Sequence, residues 1–162
     1  MSSSDEIELS ADYDEDNDPL VGFFDGPSDL SEQVIHWRNE RFYRQTVETL
    51  WAAFDRFDFE AVAPLLHDEF VCEWPQSGEV IHGRDNYIAV NKHYPGKWRC
   101  IIQQIVTERN TVVTETEVRD GEQVFTAVSF FTLKDDKIVH LREYWPDPME
   151  AQAWRAQWIE KT

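Results

Sequence analysis

No lysine or arginine occurs in the first 32 residues of this 162-residue chain, although eleven aspartates and glutamates do. A leader this polar and acidic cannot bury enough apolar surface to offset the entropy lost on ordering. Residues 1–32 are therefore expected to be a disordered acidic tail, leaving 33–162 as one domain. Within the leader, Leu20-Val21-Gly22-Phe23-Phe24 is a short apolar patch that either docks on the domain or serves as a partner motif. The formal net charge is -17. Such a shortage of positive charge argues against nucleic acid and against anionic membrane surfaces, because both are bound through cations that displace counterions. No apolar run approaches the roughly 18 residues of a membrane span. No basic stretch followed by an apolar one opens the chain, so no signal peptide is expected and the location is read as cytoplasmic. Only two cysteines are present, Cys72 and Cys100, both in apolar, strand-like surroundings. Without a C-x-x-C pair they are expected to be reduced, buried thiols. His67, His93 and His140 show no metal-ligand spacing, and no glycine-rich nucleotide loop is seen. Neither metal nor cofactor is expected.

What the chain does have is aromatic mass. Seven tryptophans and an aromatic content of 14% imply either a bulky core or an aromatic-lined cavity. Tyr43, Val47, Leu50, Trp51 and Phe54 recur at three- and four-residue spacing from a start near Ile35, the period of a helix with one buried face. Asp58 is placed to cap a second short helix that Pro64 distorts. Phe70–Trp74 reads as a strand stopped by Pro75, with Gln76-Ser77-Gly78 as a turn and Glu79–His82 as the return strand. A third helix follows Gly83 and ends at Tyr94-Pro95-Gly96. Four strands then follow, over 97–108, 111–119, 124–133 and 138–145, with Asp120-Gly121 as a hairpin signal. Asp147, Pro148 and Glu150 have the pattern of a helix N-terminus, which places Trp154 and Trp158 on one face of a final helix. Helices and a hairpin followed by a meander predict an α+β domain with a mainly antiparallel, curved sheet and helices on its concave face, around a ligand cavity.

The segments Asp58–Val62, Glu73–Glu79, His82-Gly83-Arg84, Asn91 with Tyr94-Pro95-Gly96, and Arg142–Trp145 carry a family likeness. With them, the stretch from about Phe42 to Glu160 resembles the SnoaL-like, polyketide cyclase-like members of the nuclear transport factor 2-like superfamily. The resemblance implies a cone-shaped α+β barrel or roll, also described as cystatin-like. The superfamily mixes isomerases, cyclases, dehydratases, epoxide hydrolases and non-catalytic binders. The ketosteroid isomerase pattern can be laid over Asp58–Pro75 without a gap. The proton-shuttling Asp of that family then falls on Trp74, its oxyanion-hole Tyr on Leu50, and its neutral oxyanion-hole Asp near Ser129. None of these three residues can take over the role, so that mechanism is not expected.

Glu143 is the most informative polar residue. On a strand it shares a face with Leu141 and Trp145, the face the resemblance turns toward the pocket. It also matches the position at which polyketide cyclases carry an acid. A carboxylate in an aromatic cavity has a raised pKa and suits acid–base work. The alternative is a structural ion pair with Arg99, Arg142 or another arginine. His82, at the end of a short strand, either shares proton transfer with Glu143 or is a surface residue. Arg84 is read as structural. Trp74, Trp145, Trp98 and Phe131 are cavity walls or core, and Leu141 and Ser129 join the substrate-binding set. Asn91 and Tyr94 offer hydrogen bonds to a carbonyl, or pack at a helix end. Two functions follow: a cofactor-independent isomerase, cyclase or dehydratase of a small hydrophobic compound, or a non-catalytic ligand-binding or interaction domain. A homodimer through the convex sheet face is expected from Val124, Val128, Phe130, Arg142 and Tyr144, with the final helix as the rival cover for that face.

Overall fold

The computed structural model describes residues 27–160. The chain divides into two units at Ile35. The first contributes only helical residues to the described part, and the second holds every strand. Helix α1 spans Pro27–Asp55 and two 3-10 turns follow, Phe59–Ala61 and Ala63–Leu65. Then come β1 (Leu66–Trp74), β2 (Glu79–His82), α2 (Arg84–His93), β3 (Arg99–Glu108), β4 (Thr111–Asp120), β5 (Gln123–Lys134), β6 (Lys137–Tyr144) and a 3-10 turn at Ala153–Trp158. Of the expected acidic tail, residues 1–26 lie outside the described residues, as does the Leu20–Phe24 patch. Residues 27–32 belong to α1.

The expected amphipathic stripe of α1 is the buried one: Val47, Leu50, Trp51 and Phe54 are in the core. Trp51 reaches the sheet, donating its indole N–H to the Thr114 hydroxyl at 3.1 Å and meeting Phe131 edge-on. The helix ends in two reverse hydrogen bonds, Phe57 N–H to the Phe54 carbonyl and Asp58 N–H to the Ala53 carbonyl. That pattern demands a left-handed residue at position 57, usually glycine, and here it is Phe57 with φ 59°. Asp58 does cap, accepting from Ala61 N–H, but the turn it opens is 3-10, and Pro64 sits inside the next.

The sheet has six strands in the order β2-β1-β6-β5-β4-β3. All neighbours pair antiparallel except β1 with β6, which are parallel. Register shifts between Leu66 and Val71, Ile102 and Gln104, and Thr132 and Leu133 bend the strands, as bulges do. The sheet is not closed: β2 and β3 are its edges, so the architecture is an open curved sheet with helices rather than a barrel. The hairpin β4–β5 turns at Gly121 (φ 60°) and Glu122, with Asp120 still paired to Gln123, one residue later than the sequence signal suggested.

One expected element is absent. Residues 145–152 have no regular structure, and Ala153–Trp158 is a 3-10 turn with Trp154 and Trp158 both 71% exposed. A capping signal does not sustain a helix whose apolar face finds nothing to bury against. Both cysteines are free, Cys72 buried and Cys100 partly so. Among the described residues no helix is long and apolar enough to cross a membrane.

Phe131, expected in the cavity wall, is fully buried under Trp51 and does not line the cavity. Its truncation should act as a core deletion. Phe131→Ala is predicted to lower unfolding free energy by about 3–5 kcal/mol in urea titrations. Ligand affinity per folded molecule should be unchanged.

Candidate functional site: an aromatic cavity backed by a buried carboxylate

The inner face of the sheet is mostly apolar, but one row across it is polar. Thr114 on β4 pairs with Ser129 on β5, and Ser129 pairs with Glu143 on β6. The next strand, β1, brings Trp74 into the same row, one step beyond the Glu73–Arg142 pair. Thr114 and Ser129 are fully buried, and Glu143 is 2% exposed. Alternation along β6 puts Glu143 on the face shared with Trp145, two residues on.

Three donors converge on Glu143. The Ser129 hydroxyl lies 2.7 Å from Oε1. The indole N–H groups of Trp74 and Trp145 both donate to Oε2, at 3.1 and 3.0 Å. Burial pushes the Glu143 carboxyl above the ordinary range, while these hydrogen bonds pull it back in part. Neither arginine offered as a structural partner reaches it. Arg142 points to the opposite face and pairs with Glu73 at 3.1 Å, beside His140 at 3.2 Å. Arg99 holds Asp55 bidentately, both contacts at 2.8 Å. Asp55 also accepts from Cys100 N–H, and the Arg99 hydrogen bond keeps its carboxyl below the ordinary value.

In front of the two indoles lies a cavity of about 400 Å³, with eight aromatic side chains in its wall. Phe54 comes from the end of α1 and Phe57 from just after it, Phe59 from the first 3-10 turn, Trp74 from the end of β1 and Trp145 from just beyond β6. Tyr94 and Trp98 come from the loop after α2, and Phe125 from β5. Gly96 lets that loop close down. Its φ is +114°, and a Cβ there would sit 2.5 Å from Trp98 Nε1 and 2.8 Å from Asp120 Oδ2. Polar wall groups are Gln76, Ser77, Glu79, Asn91, Lys92, Cys100 and Asp147.

Of the residues expected at the site, Trp74, Trp145, Trp98, Asn91 and Tyr94 line this cavity. Ser129 and Glu143 stand behind it, and neither is part of its wall. Leu141 is 1% exposed and belongs to the core. His82 is not brought to Glu143. It is exposed and opens on a separate depression with Asp68, Gly83, Arg84, Asp85 and Asn86. Glu79, at the start of the short strand β2, is in the cavity wall, and His82 closes the other end of that strand. Arg84 there pairs with Asp68 at 2.8 Å. Sequence reasoning missed Phe57, Lys92 and Asp147, and it reached Phe125 only as a residue sharing the pocket side with Ser129. Phe57 was out of reach, because it enters the wall through a strained backbone turn.

The chemistry on offer is limited. Burial raises the Cys100 thiol to about 12, so it is no thiolate nucleophile near neutrality. Lys92 lies 3.8 Å from Glu60. Among the described residues no three His, Cys, Asp or Glu side chains gather as a metal site.

Comparisons with known proteins agree with this architecture. The model of the SnoaL-like domain matches residues 47–141. An NTF-2 like protein of unknown function from Burkholderia xenovorans LB400 is 34% identical, with a TM-score of 0.67 over 76% of this chain and 98% of its own. A candidate ketosteroid isomerase from Kribbella flavida DSM 17836 is 22% identical, with a TM-score of 0.73 over 76% and 92%. An LEH-like epoxide hydrolase from M. tuberculosis is 22% identical, with a TM-score of 0.58 over 66% and 84%. No curated protein matches the sequence. With more than half of its length matched by the family model, this chain belongs to the SnoaL-like domain family, on the NTF2-like fold.

Proposed function

We propose that this protein binds a small, largely apolar molecule in the aromatic cavity, with Glu143 holding the wall rather than touching the ligand. The observation that carries this reading is the closure of Glu143. Both its oxygens accept from protein donors and it stands outside the cavity lining. A cavity of about 400 Å³ suits a compound of one or two rings. Truncating Trp145 removes both ring contact and one donor to Glu143. Ring compounds should therefore quench or shift the intrinsic tryptophan fluorescence, and Trp145→Ala should weaken their binding by roughly tenfold or more. Unchanged affinity in that variant would reject the cavity as the site.

A second reading makes the protein a cofactor-independent isomerase, cyclase or dehydratase with Glu143 as acid or base. The raised pKa of Glu143 favours it, since a carboxyl poised nearer neutrality is what proton transfer asks for. For that chemistry a ligand must displace an indole N–H from Oε2. Glu143→Gln separates the two readings. Its amide oxygen can still accept from both indoles, so ligand binding is kept in either case, and only the enzyme reading has turnover vanish.

The same variant checks the pKa. A carboxyl whose folded-state pKa is raised contributes fully to stability below its unfolded value and loses that contribution as pH rises through the folded one. Glutamine does not titrate. The stability difference should therefore shift in favour of Glu143→Gln as pH climbs from about 4 toward neutrality, read by urea unfolding at several pH values.

Assembly as a homodimer through the outer sheet face fits the same fold. Val106, Val113, Phe130 and Arg142 form one row across that face, with Val106 51% and Phe130 40% exposed. Phe130 packs edge-on against Tyr144. Sedimentation should give a dimer at micromolar concentration, and Phe130→Glu should yield a folded monomer, because a buried unpaired charge is costly. The free thiols suit a reducing, cytoplasmic setting.

A further inference from the structure

Most side-chain hydrogen-bond donors in the cavity wall are already engaged, and its acids outnumber its one base. The indole N–H groups of Trp74 and Trp145 are taken by Glu143, and that of Trp98 by the Pro95 carbonyl at 2.7 Å. The Asn91 amide donates back to the Tyr87 carbonyl at 2.8 Å. The Ser77 hydroxyl lies against the Trp74 carbonyl and the Glu79 carboxylate. Lys92, the one basic side chain in the wall, has Glu60 beside it. The Gln76 amide and the Tyr94 hydroxyl, both exposed, are the wall's remaining side-chain donors, few with which to bind an anion. Two acids, Glu79 and Asp147, are in the wall. Aromatic ring carbon fills most of the remainder.

From this census we propose that the cavity selects an organic cation, an alkylated ammonium group carrying an apolar ring. The proposal rests on the ligand-binding reading above and narrows its ligand class. The charged head would sit among the indoles near Glu79 and Asp147, where aromatic surface attracts a cation and a nearby carboxylate adds to the attraction. Its alkyl groups need no hydrogen-bond partner, which suits a wall whose donors and acceptors are largely engaged with each other. An anion of the same shape meets the carboxylates and finds few donors.

Three probes of one shape decide it: benzyltrimethylammonium, its neutral carbon isostere neopentylbenzene, and the anion phenylmethanesulfonate. Each is titrated into the full-length chain at low ionic strength and followed by calorimetry and tryptophan fluorescence. The cation is expected to bind one per chain, roughly tenfold or more tighter than neopentylbenzene, with no binding of the sulfonate. Replacing both Glu79→Gln and Asp147→Asn, which are exposed and carry no fold, should shrink the preference severalfold. Val90→Trp, which fills the cavity mouth from the exposed side of α2, should abolish binding of every probe. That variant also separates the cavity from the acidic leader as the cation's seat, and cation binding that survives it overturns the proposal. Equal or tighter binding of neopentylbenzene or the sulfonate overturns the cation selectivity while leaving a ligand cavity in place. Failure of all three to bind overturns the cavity reading itself and the proposal with it.

Discussion

The Glu143 carboxylate and its three donors organise the inner face of this protein. A charge taken out of water is costly unless its lone pairs are satisfied, and the cost is what makes the arrangement specific. Ser129 ties β5 to it, Trp74 ties β1, and Trp145 ties the segment leaving β6. The parallel pairing of β1 with β6 brings the first of those strands beside the last. The carboxylate therefore links two parts of the chain roughly seventy residues apart in sequence, a closure whose entropic cost grows slowly with loop length.

The cavity wall follows from that clamp. Indoles whose N–H groups turn back toward the sheet offer ring carbon, not donors, to the cavity. The cavity's other aromatic contributors depend on local backbone devices. Phe57 takes a left-handed conformation, uncommon for a bulky residue, to end α1 and enter the wall. Gly96 lets the loop after α2 approach Trp98 and Asp120 closely enough that a methyl group would collide. Conformational strain is tolerated when the surrounding fold over-determines it. Here the strand ends and the Asp55–Arg99 pair do so.

The likeness to proteins of different named activities fits this division between scaffold and site. The epoxide hydrolase and the candidate isomerase share the backbone arrangement at 22% identity each, which speaks to fold alone. At the positions where the isomerase pattern asks for two acids and a tyrosine, this chain has Trp74, Ser129 and Leu50. The first two donate to Glu143, and Leu50 is 1% exposed in the core.

Periodicity alone determined much of the scaffold. The stripe Val47, Leu50, Trp51 and Phe54, the hairpin around Gln76-Ser77-Gly78 and the alternation that put Glu143 and Trp145 on one face are all set by short-range spacing, and short-range spacing is what a sequence displays. It could not show that His82 and Glu143 lie apart, that Leu141 and Phe131 are core, or that Trp154 and Trp158 form no helix. Each of those depends on which strand lies beside which and on what surface remains to be covered. The role of Glu143 is the clearest case. Its burial and face were legible, but its partners were not. The two indoles come from β1 and from just beyond β6, and only the parallel pairing of those strands, a contact between distant segments, decides that both N–H groups point at one oxygen.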